Sequence, residues 1–313
     1  MRASHFISIS LLVILSCNEG QVKEYSDTST KGEIKIAVDE NFKPIIDSQL
    51  EAFSFYNKDA RITPIYTSEG EAFRALINDS VRLVVATRQL NENEKKYFES
   101  ISLVPKVTRI AFDAIALIMH PTNPDSTLTY EQITGIFNGS IKSWQQINPG
   151  STSGDINIVF DHKESGTARY IRDKLLGGKD FPPNCFAVNS NPEVITYCSS
   201  NRNAIGLIGV NWISDGDDPA SLGFKQMITV AAITPPDTSD AAVRSYKPYQ
   251  AYLAQKDYPF TRDVYIISRE ARSGLGSGFA SFVAGDKGQR IILKSGIMPA
   301  IKPVRIVGFR TNE

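Results

Sequence analysis

Three short segments carry the residue types that hold small anions. Asp39-Glu40-Asn41-Phe42 precedes a helix with Pro44 in its first turn, and Thr67-Ser68-Glu69-Gly70 precedes a helix carrying Phe73 and Leu76. Glu164-Ser165-Gly166-Thr167 precedes a helix running from Ala168 to Leu176. The start of a helix presents backbone N–H groups with no intrahelical partner, and the aligned peptide dipoles place partial positive charge there. Ser68, Ser165 and Thr167 add hydroxyl donors, completing the equipment that binds a tetrahedral oxyanion without catalysis. Each segment also reads as an ordinary capped helix start, because serine and threonine are preferred caps.

Other constellations carry less chemistry. Asp161, His162 and Ser165 are the types of a hydrolytic triad, but neighbours in an extended segment point to opposite sides, so Asp161 cannot orient His162. Ser273-Gly274-Leu275-Gly276-Ser277-Gly278 has the glycine spacing of a phosphate loop, yet it lacks the lysine and the preceding strand–helix unit. It reads as a flexible connection before a helix at Phe279. His5, His120 and His162, with Cys17, Cys185 and Cys198, show no CxxC, HExxH or HxH spacing. No metal and no cofactor is expected from them.

The elements that position the three segments follow from hydrophobic periodicity. Glu33 to Val38 alternates, while Val81 to Ala86, Ala114 to Met119, Ile156 to Phe160, Ile205 to Val210 and Val264 to Ser268 are buried-type apolar runs. Between them Ile46, Leu50 and Phe53 form one helical stripe, Phe73, Leu76 and Ile77 a second, and Ile171 and Leu175 a third. Strands alternating with helices predict an α/β fold with parallel or mixed sheets.

At 313 residues the chain is long enough for two lobes, each with its own core. Its 34 Lys plus Arg balance 34 Asp plus Glu. That balance excludes bulk attraction to nucleic acid and leaves any anion to be recognised locally. Arg2 precedes an apolar run from Phe6 to Leu15, too short to span a membrane comfortably and typical of a signal peptide over residues 1–16. The ending Ile14-Leu15-Ser16-Cys17 resembles a bacterial lipobox, which implies export, lipidation of Cys17 and attachment to a bacterial membrane facing the periplasm or the cell exterior. Residues 17–32 are polar and predict a flexible tether. With Cys17 so used, Cys185 and Cys198 remain as an even pair, whose spacing permits either a disulfide or two reduced thiols.

Larger motifs resemble the phosphate-binding periplasmic proteins that serve ABC importers. Leu128-Thr129-Tyr130-Glu131-Gln132-Ile133 followed by Ile136-Phe137-Asn138-Gly139-Ser140-Ile141 and Trp144 is similar to a segment of that family. Physically it is a capping box of Thr129 with Gln132, then a helix stopped by Gly139. Glu164 to Thr167, Ala204 to Gly209, Tyr258-Pro259-Phe260-Thr261-Arg262, and Phe282 to Pro299 follow in the family's order. The resemblance implies a two-lobed clamshell of the type II periplasmic-binding-protein kind, with two chain crossings. Lobe I would be residues 33–113 plus 258–313, and lobe II residues 114–257, with Ala114 to Met119 and Val264 to Ser268 at or near the hinge.

By the same resemblance the ligand is inorganic phosphate or a related oxyanion, held by Asn41, Phe42, Ser68, Ser165, Gly166 and Thr167. Arg88 stands where some members carry an acidic proton acceptor and others an arginine. Asp161 stands where an arginine commonly precedes the Ser-Gly-Thr loop. Arg88 is then expected as the fixed cation and Asp161 as acceptor of the phosphate O–H, a proton that sulfate lacks. The implied protein is a monomer that is not an enzyme and has an ABC permease as partner. The alternative is an extracytoplasmic sensor or scaffold signalling through a membrane partner.

Overall fold

The computed structural model describes residues 27–236 and 244–301; the predicted signal peptide and Cys17 lie outside them. The chain begins with β1 (Gly32–Asp39), α1 (Lys43–Tyr56), β2 (Ala60–Thr67), α2 (Glu69–Ile77), β3 (Leu83–Ala86) and α3 (Glu92–Ser100). A long strand, β4 (Lys106–Met119), leads to β5 (Thr127–Thr129), α4 (Tyr130–Asn138), β6 (Asn157–Phe160), α5 (Gly166–Leu176), β7 (Cys185–Ala187) and α6 (Asn191–Ser200). Then come β8 (Ala204–Gly209), α7 (Asn211–Ser214), α8 (Pro219–Met227), β9 (Thr229–Val230), β10 (Ala232–Thr234) and α9 (Gln250–Gln255). The last elements are β11 (Thr261–Ser268), α10 (Leu275–Ala284), α11 (Asp286–Lys294) and β12 (Met298–Pro299).

The strands follow the order β2-β1-β3-β11-β4-β8-β6-β7. Parallel pairs β1·β2, β1·β3, β6·β7 and β6·β8 flank the antiparallel centre β3·β11, β11·β4 and β4·β8, so the sheet is mixed. β4 belongs to both halves: Lys106 to Ala114 pairs with β11, and Ile115 to Met119 pairs with β8. The result is two α/β lobes sharing one strand. The chain crosses between them inside β4 and again just before β11, where Thr261 lies opposite Ala114. The second crossing is therefore at the start of β11; Val264 to Ser268 sits inside lobe I, with Tyr265 to Ser268 paired to β3.

Central strands are apolar throughout because helices cover both faces. All four residues of β3 and all six of β8 are buried. β1 buries Ile34, Ile36 and Val38 against one core and Ala37 against another. β2 is an edge strand, which allows Pro64 opposite Ile36, where a missing N–H costs no ladder bond. α4 carries the predicted capping box and ends at Gly139 with φ 78°, a left-handed position that suits glycine. Trp144 is buried, with its Nε1–H donating to the Asn203 carbonyl at 3.0 Å.

Two expectations are corrected, and one alternative left open is decided. Residues 27–32 are not a free tether: the Asp27 carboxylate accepts the Leu275 N–H at 2.9 Å and pairs with Arg272, and the strand begins at Gly32. Residues 273–278 are not a loose connection, because α10 starts at Leu275 and the Glu270 carboxylate takes the Gly276 and Ser277 amides at 3.0 and 2.7 Å. Cys185 and Cys198 are free thiols. Cys185 lies on β7, while Cys198 packs from α6 onto Gly206 of β8, with β6 between. Two strand spacings, roughly 10 Å, exceed the Cα separation that a disulfide spans.

A candidate oxyanion cleft

Each of the three segments ends a strand of one lobe and starts a helix, so its donors face the gap between the lobes. β1 delivers Asp39, and a 3₁₀ turn, Glu40–Phe42, carries the chain into α1. β2 delivers Ser68, whose Oγ caps α2 by accepting the Glu71 N–H at 3.3 Å. In lobe II, Ser165 caps α5, its Oγ accepting the Ala168 N–H at 3.1 Å.

The first and third segments meet. Gly166 N–H donates to Asp39 Oδ2 at 3.0 Å, while Asn41 donates to Asp39 Oδ1 through its backbone N–H at 3.1 Å and through Nδ2 at 2.9 Å. Thr167 Oγ1 donates to Asn41 Oδ1 at 2.9 Å and accepts from Arg262 Nη1 at 3.2 Å. Asn41 Nδ2 also reaches Asp161 Oδ2 at 3.1 Å, and Asn211 Nδ2 holds the Asn41 carbonyl at 2.9 Å. Asp161 Oδ1, by contrast, is buried with no hydrogen-bond partner among the described residues. Phe42 is buried with its ring centroid 5.4 Å from the Arg262 guanidinium. Gly166 is required here: a Cβ would stand 2.4 Å from Asp39 Oδ2, 2.8 Å from Thr87 Oγ1 and 3.0 Å from Glu69 Oε2.

Ser68 stands at the edge of this cluster. With Glu40, Asp161 and His162 it lines a cavity of about 270 Å³. The inward residue of its segment is Glu69, which accepts from Thr87 N–H at 2.7 Å, Thr87 Oγ1 at 2.6 Å and Arg169 Nε at 2.6 Å. Arg88 makes no hydrogen bond to the cluster. Its guanidinium forms two bonds to Glu94, at 2.7 and 2.8 Å, and lies over the Phe73 ring, with Glu69 3.9 Å away. Glu94 is fixed there by its capping-box role in α3, so the arginine that follows β3 turns to the nearer carboxylate. Among the described residues Arg262 bonds Thr167 in the cluster and Arg169 bonds Glu69 and Thr87, while Arg88 touches the cluster's edge only through its longer contact with Glu69.

Arg262 extends from β11 to Asp113 on β4, donating to Oδ2 from Nε at 3.0 Å and Nη2 at 2.8 Å. Asn191, the first residue of α6, donates its N–H to Glu40 Oε2 at 3.3 Å and its Nδ2 to the same carboxylate. Sequence reasoning missed Arg262, Arg169 and Asn191 as site residues. Arg169 had a usable signal: it follows Ser165 by four residues, one turn along the same helix face. Arg262 ends the Tyr258-Pro259-Phe260-Thr261-Arg262 motif without a local sign of its role, and nothing local marks Asn191.

Carboxylates dominate the electrostatics. Asp39, Glu40, Glu69, Asp113 and Asp161 face Arg169 and Arg262. Burial, with Glu69 and Asp161 nearby, pushes the Asp39 carboxyl up to about 7. Burial also pushes Glu40 up to about 7, against the bonds from Asn191. Asp161 and Asp113 are raised by burial, with Ser165 and Arg262 respectively opposing the shift most strongly. Glu69 goes the other way: burial disfavours its charge, but Arg169 and Thr87 hold it below the usual carboxylate range.

Two α/β lobes on a common strand, with helix starts from both sides aimed into one buried gap, form a clamshell of the solute-binding type. A PBP superfamily domain model matches residues 23–287, and the chain belongs to that superfamily. It is similar to the phosphate-binding protein PstS of Staphylococcus saprophyticus, at 24% identity over 264 residues, covering 83% of this chain and 78% of the relative. The phosphate-binding protein PstS of Borreliella burgdorferi is 23% identical over 265 residues, 82% of this chain and 85% of its own. A Clostridium perfringens protein whose crystal structure contains bound phosphate superposes with a TM-score of 0.71 at 21% identity, over 86% of this chain and 100% of that one. That likeness concerns the fold.

Proposed function

We propose that this chain is an extracytoplasmic solute-binding protein that captures inorganic phosphate, or an oxyanion of the same shape, for an ABC importer. The observation that carries the reading is the meeting of Ser165-Gly166-Thr167 from lobe II with Asn41 from lobe I. Backbone and hydroxyl donors from two lobes converge there on one buried point, as capture by closure requires. The names of the PstS relatives support phosphate as the ligand. Phe42, Ser68 and Asp161 complete the proposed ligand set, with Asp161 accepting the phosphate O–H. Arg262 takes the cationic role expected of Arg88. The proposed lobe limits are 33–113 with the return from 258, and 114–257.

Calorimetry on protein unfolded, stripped of bound anion and refolded tests the ligand. Phosphate should bind and sulfate should bind at least about a hundredfold more weakly, because a carboxylate acceptor meets only lone pairs on sulfate. Absence of heat with every oxyanion would end the reading. Attachment through lipid on Cys17 is part of the proposal and rests on the sequence. Cys17→Ser should move the protein from the membrane fraction to the soluble fraction.

A further inference from the structure

We propose that Asp39 is an internal competitor for the oxyanion: its carboxylate occupies the donors the ligand would use, and must leave them before the ligand can bind. The inference deepens the phosphate reading and rests on it. The anion of that reading takes the N–H groups of Gly166 and Asn41. Both already donate to Asp39, at 3.0 and 3.1 Å, with Asn41 Nδ2 a third donor at 2.9 Å. The residue is 0% exposed. A carboxylate offers two oxygens and a negative charge, matching one edge of a tetrahedral oxyanion, so it satisfies the start of α5 as a ligand would.

The next residue repeats the arrangement. Glu40 accepts the Asn191 N–H at 3.3 Å at the start of α6. One turn of lobe I thus supplies a carboxylate to each of two helix starts in lobe II. Above about pH 7, where Asp39 is ionised, two anions cannot share these donors, because their repulsion in a water-excluded gap is only weakly screened. Phosphate therefore binds only molecules in which Asp39 has withdrawn, and its apparent affinity is reduced by the fraction of such molecules.

The test compares wild type, Asp39→Ala and Asp39→Asn, each stripped of anion and confirmed folded by circular dichroism. Hydrogen exchange at the Gly166 amide reads occupancy without ligand, and phosphate calorimetry reads competition. In Asp39→Ala the Gly166 amide should exchange at least about tenfold faster, phosphate should restore its protection, and phosphate affinity should rise by about tenfold or more. Asp39→Asn is neutral but still fills the place with an acceptor oxygen, so it should gain less affinity than Asp39→Ala. Equal gains in the two variants would show that charge alone matters and would overturn the competition. Unchanged protection of Gly166 in Asp39→Ala would overturn the occupancy. If Gly166 responds as stated while no variant binds phosphate, the occupancy stands and the phosphate reading falls.

Discussion

Replacing Arg262 by methionine tests the electrostatic centre of the molecule. The guanidinium and Asp113 are 2% and 0% exposed and share two hydrogen bonds, at 3.0 and 2.8 Å. Methionine fills much of the volume but leaves Asp113 as a buried charge without its cation. Breaking a buried pair from one side costs about 3–5 kcal/mol. For a chain of this size that corresponds to a fall in melting temperature of roughly 5–8 °C. The assay is urea unfolding followed by the fluorescence of Trp144 and Trp212, both buried in lobe II. Without Arg262, burial acts on Asp113 with less opposition, so its carboxyl takes up a proton more readily. The deficit should therefore be smaller at pH 5 than at pH 8. Adding Asp113→Asn to Arg262→Met should recover about 2 kcal/mol, because the stranded charge is gone. A deficit under about 1 kcal/mol, or a double variant no more stable than the single one, would refute the reasoning.

Asp39 and Glu40, both pushed up to about 7 from ordinary values of 3.8 and 4.5, give the ligand-free protein a definite pH dependence. The folded state holds their protons where the unfolded state has released them, so the stabilisation is full below about pH 4 and is lost as pH rises through 7. Melting temperature in phosphate-free buffer should fall between pH 5 and pH 8, and Asp39→Asn with Glu40→Gln should flatten the profile. Thr167→Val deprives Asn41 Oδ1 of its donor and should cost about 1–3 kcal/mol of stability, with phosphate affinity falling as well. Lost affinity at an unchanged melting temperature would mean that the hydroxyl does not serve Asn41. Arg88→Ala should change phosphate affinity by less than about threefold, since its partner is Glu94; a much larger loss would return Arg88 to the site.

Most strands visible in the sequence are those whose burial makes them apolar on both faces, such as Leu83 to Ala86 and Ala204 to Gly209, while β1 shows through the alternation of Glu33 to Val38. Those missed include β2, interrupted by Pro64, the first part of β4, where Lys106, Thr108 and Arg109 conceal a strand that continues into Ala114 to Met119, and the two- and three-residue strands β5, β7, β9, β10 and β12. At the site, helix-start chemistry marked Asn41, Ser165, Gly166 and Thr167, and the fold brings these together with Asp161. Partner choice was not legible. Whether Arg88 turns to Glu94 or Glu69, and whether Arg262 reaches Thr167, depends on distances between segments far apart in the chain. The acidic residues were visible, but their role was not, because nothing in Asp39-Glu40-Asn41 says that its first carboxylate folds back onto an amide of Gly166.

The shared strand has a kinetic consequence. β4 and β11 are antiparallel neighbours at the middle of lobe I, and Ala114 pairs with Thr261. Closing the intervening loop of roughly 150 residues as unstructured chain costs about 4 kcal/mol in entropy. Lobe II is that loop. Once its strands β8 and β6 assemble on the far end of β4, Ile115 and Phe260 are drawn together, as their 2.9 Å hydrogen bond records, and most of the closure cost has already been met. Lobe II should therefore fold first and seed lobe I. Pulse-labelled hydrogen exchange during refolding should find the amides of β6 and β8 protected before those of β11.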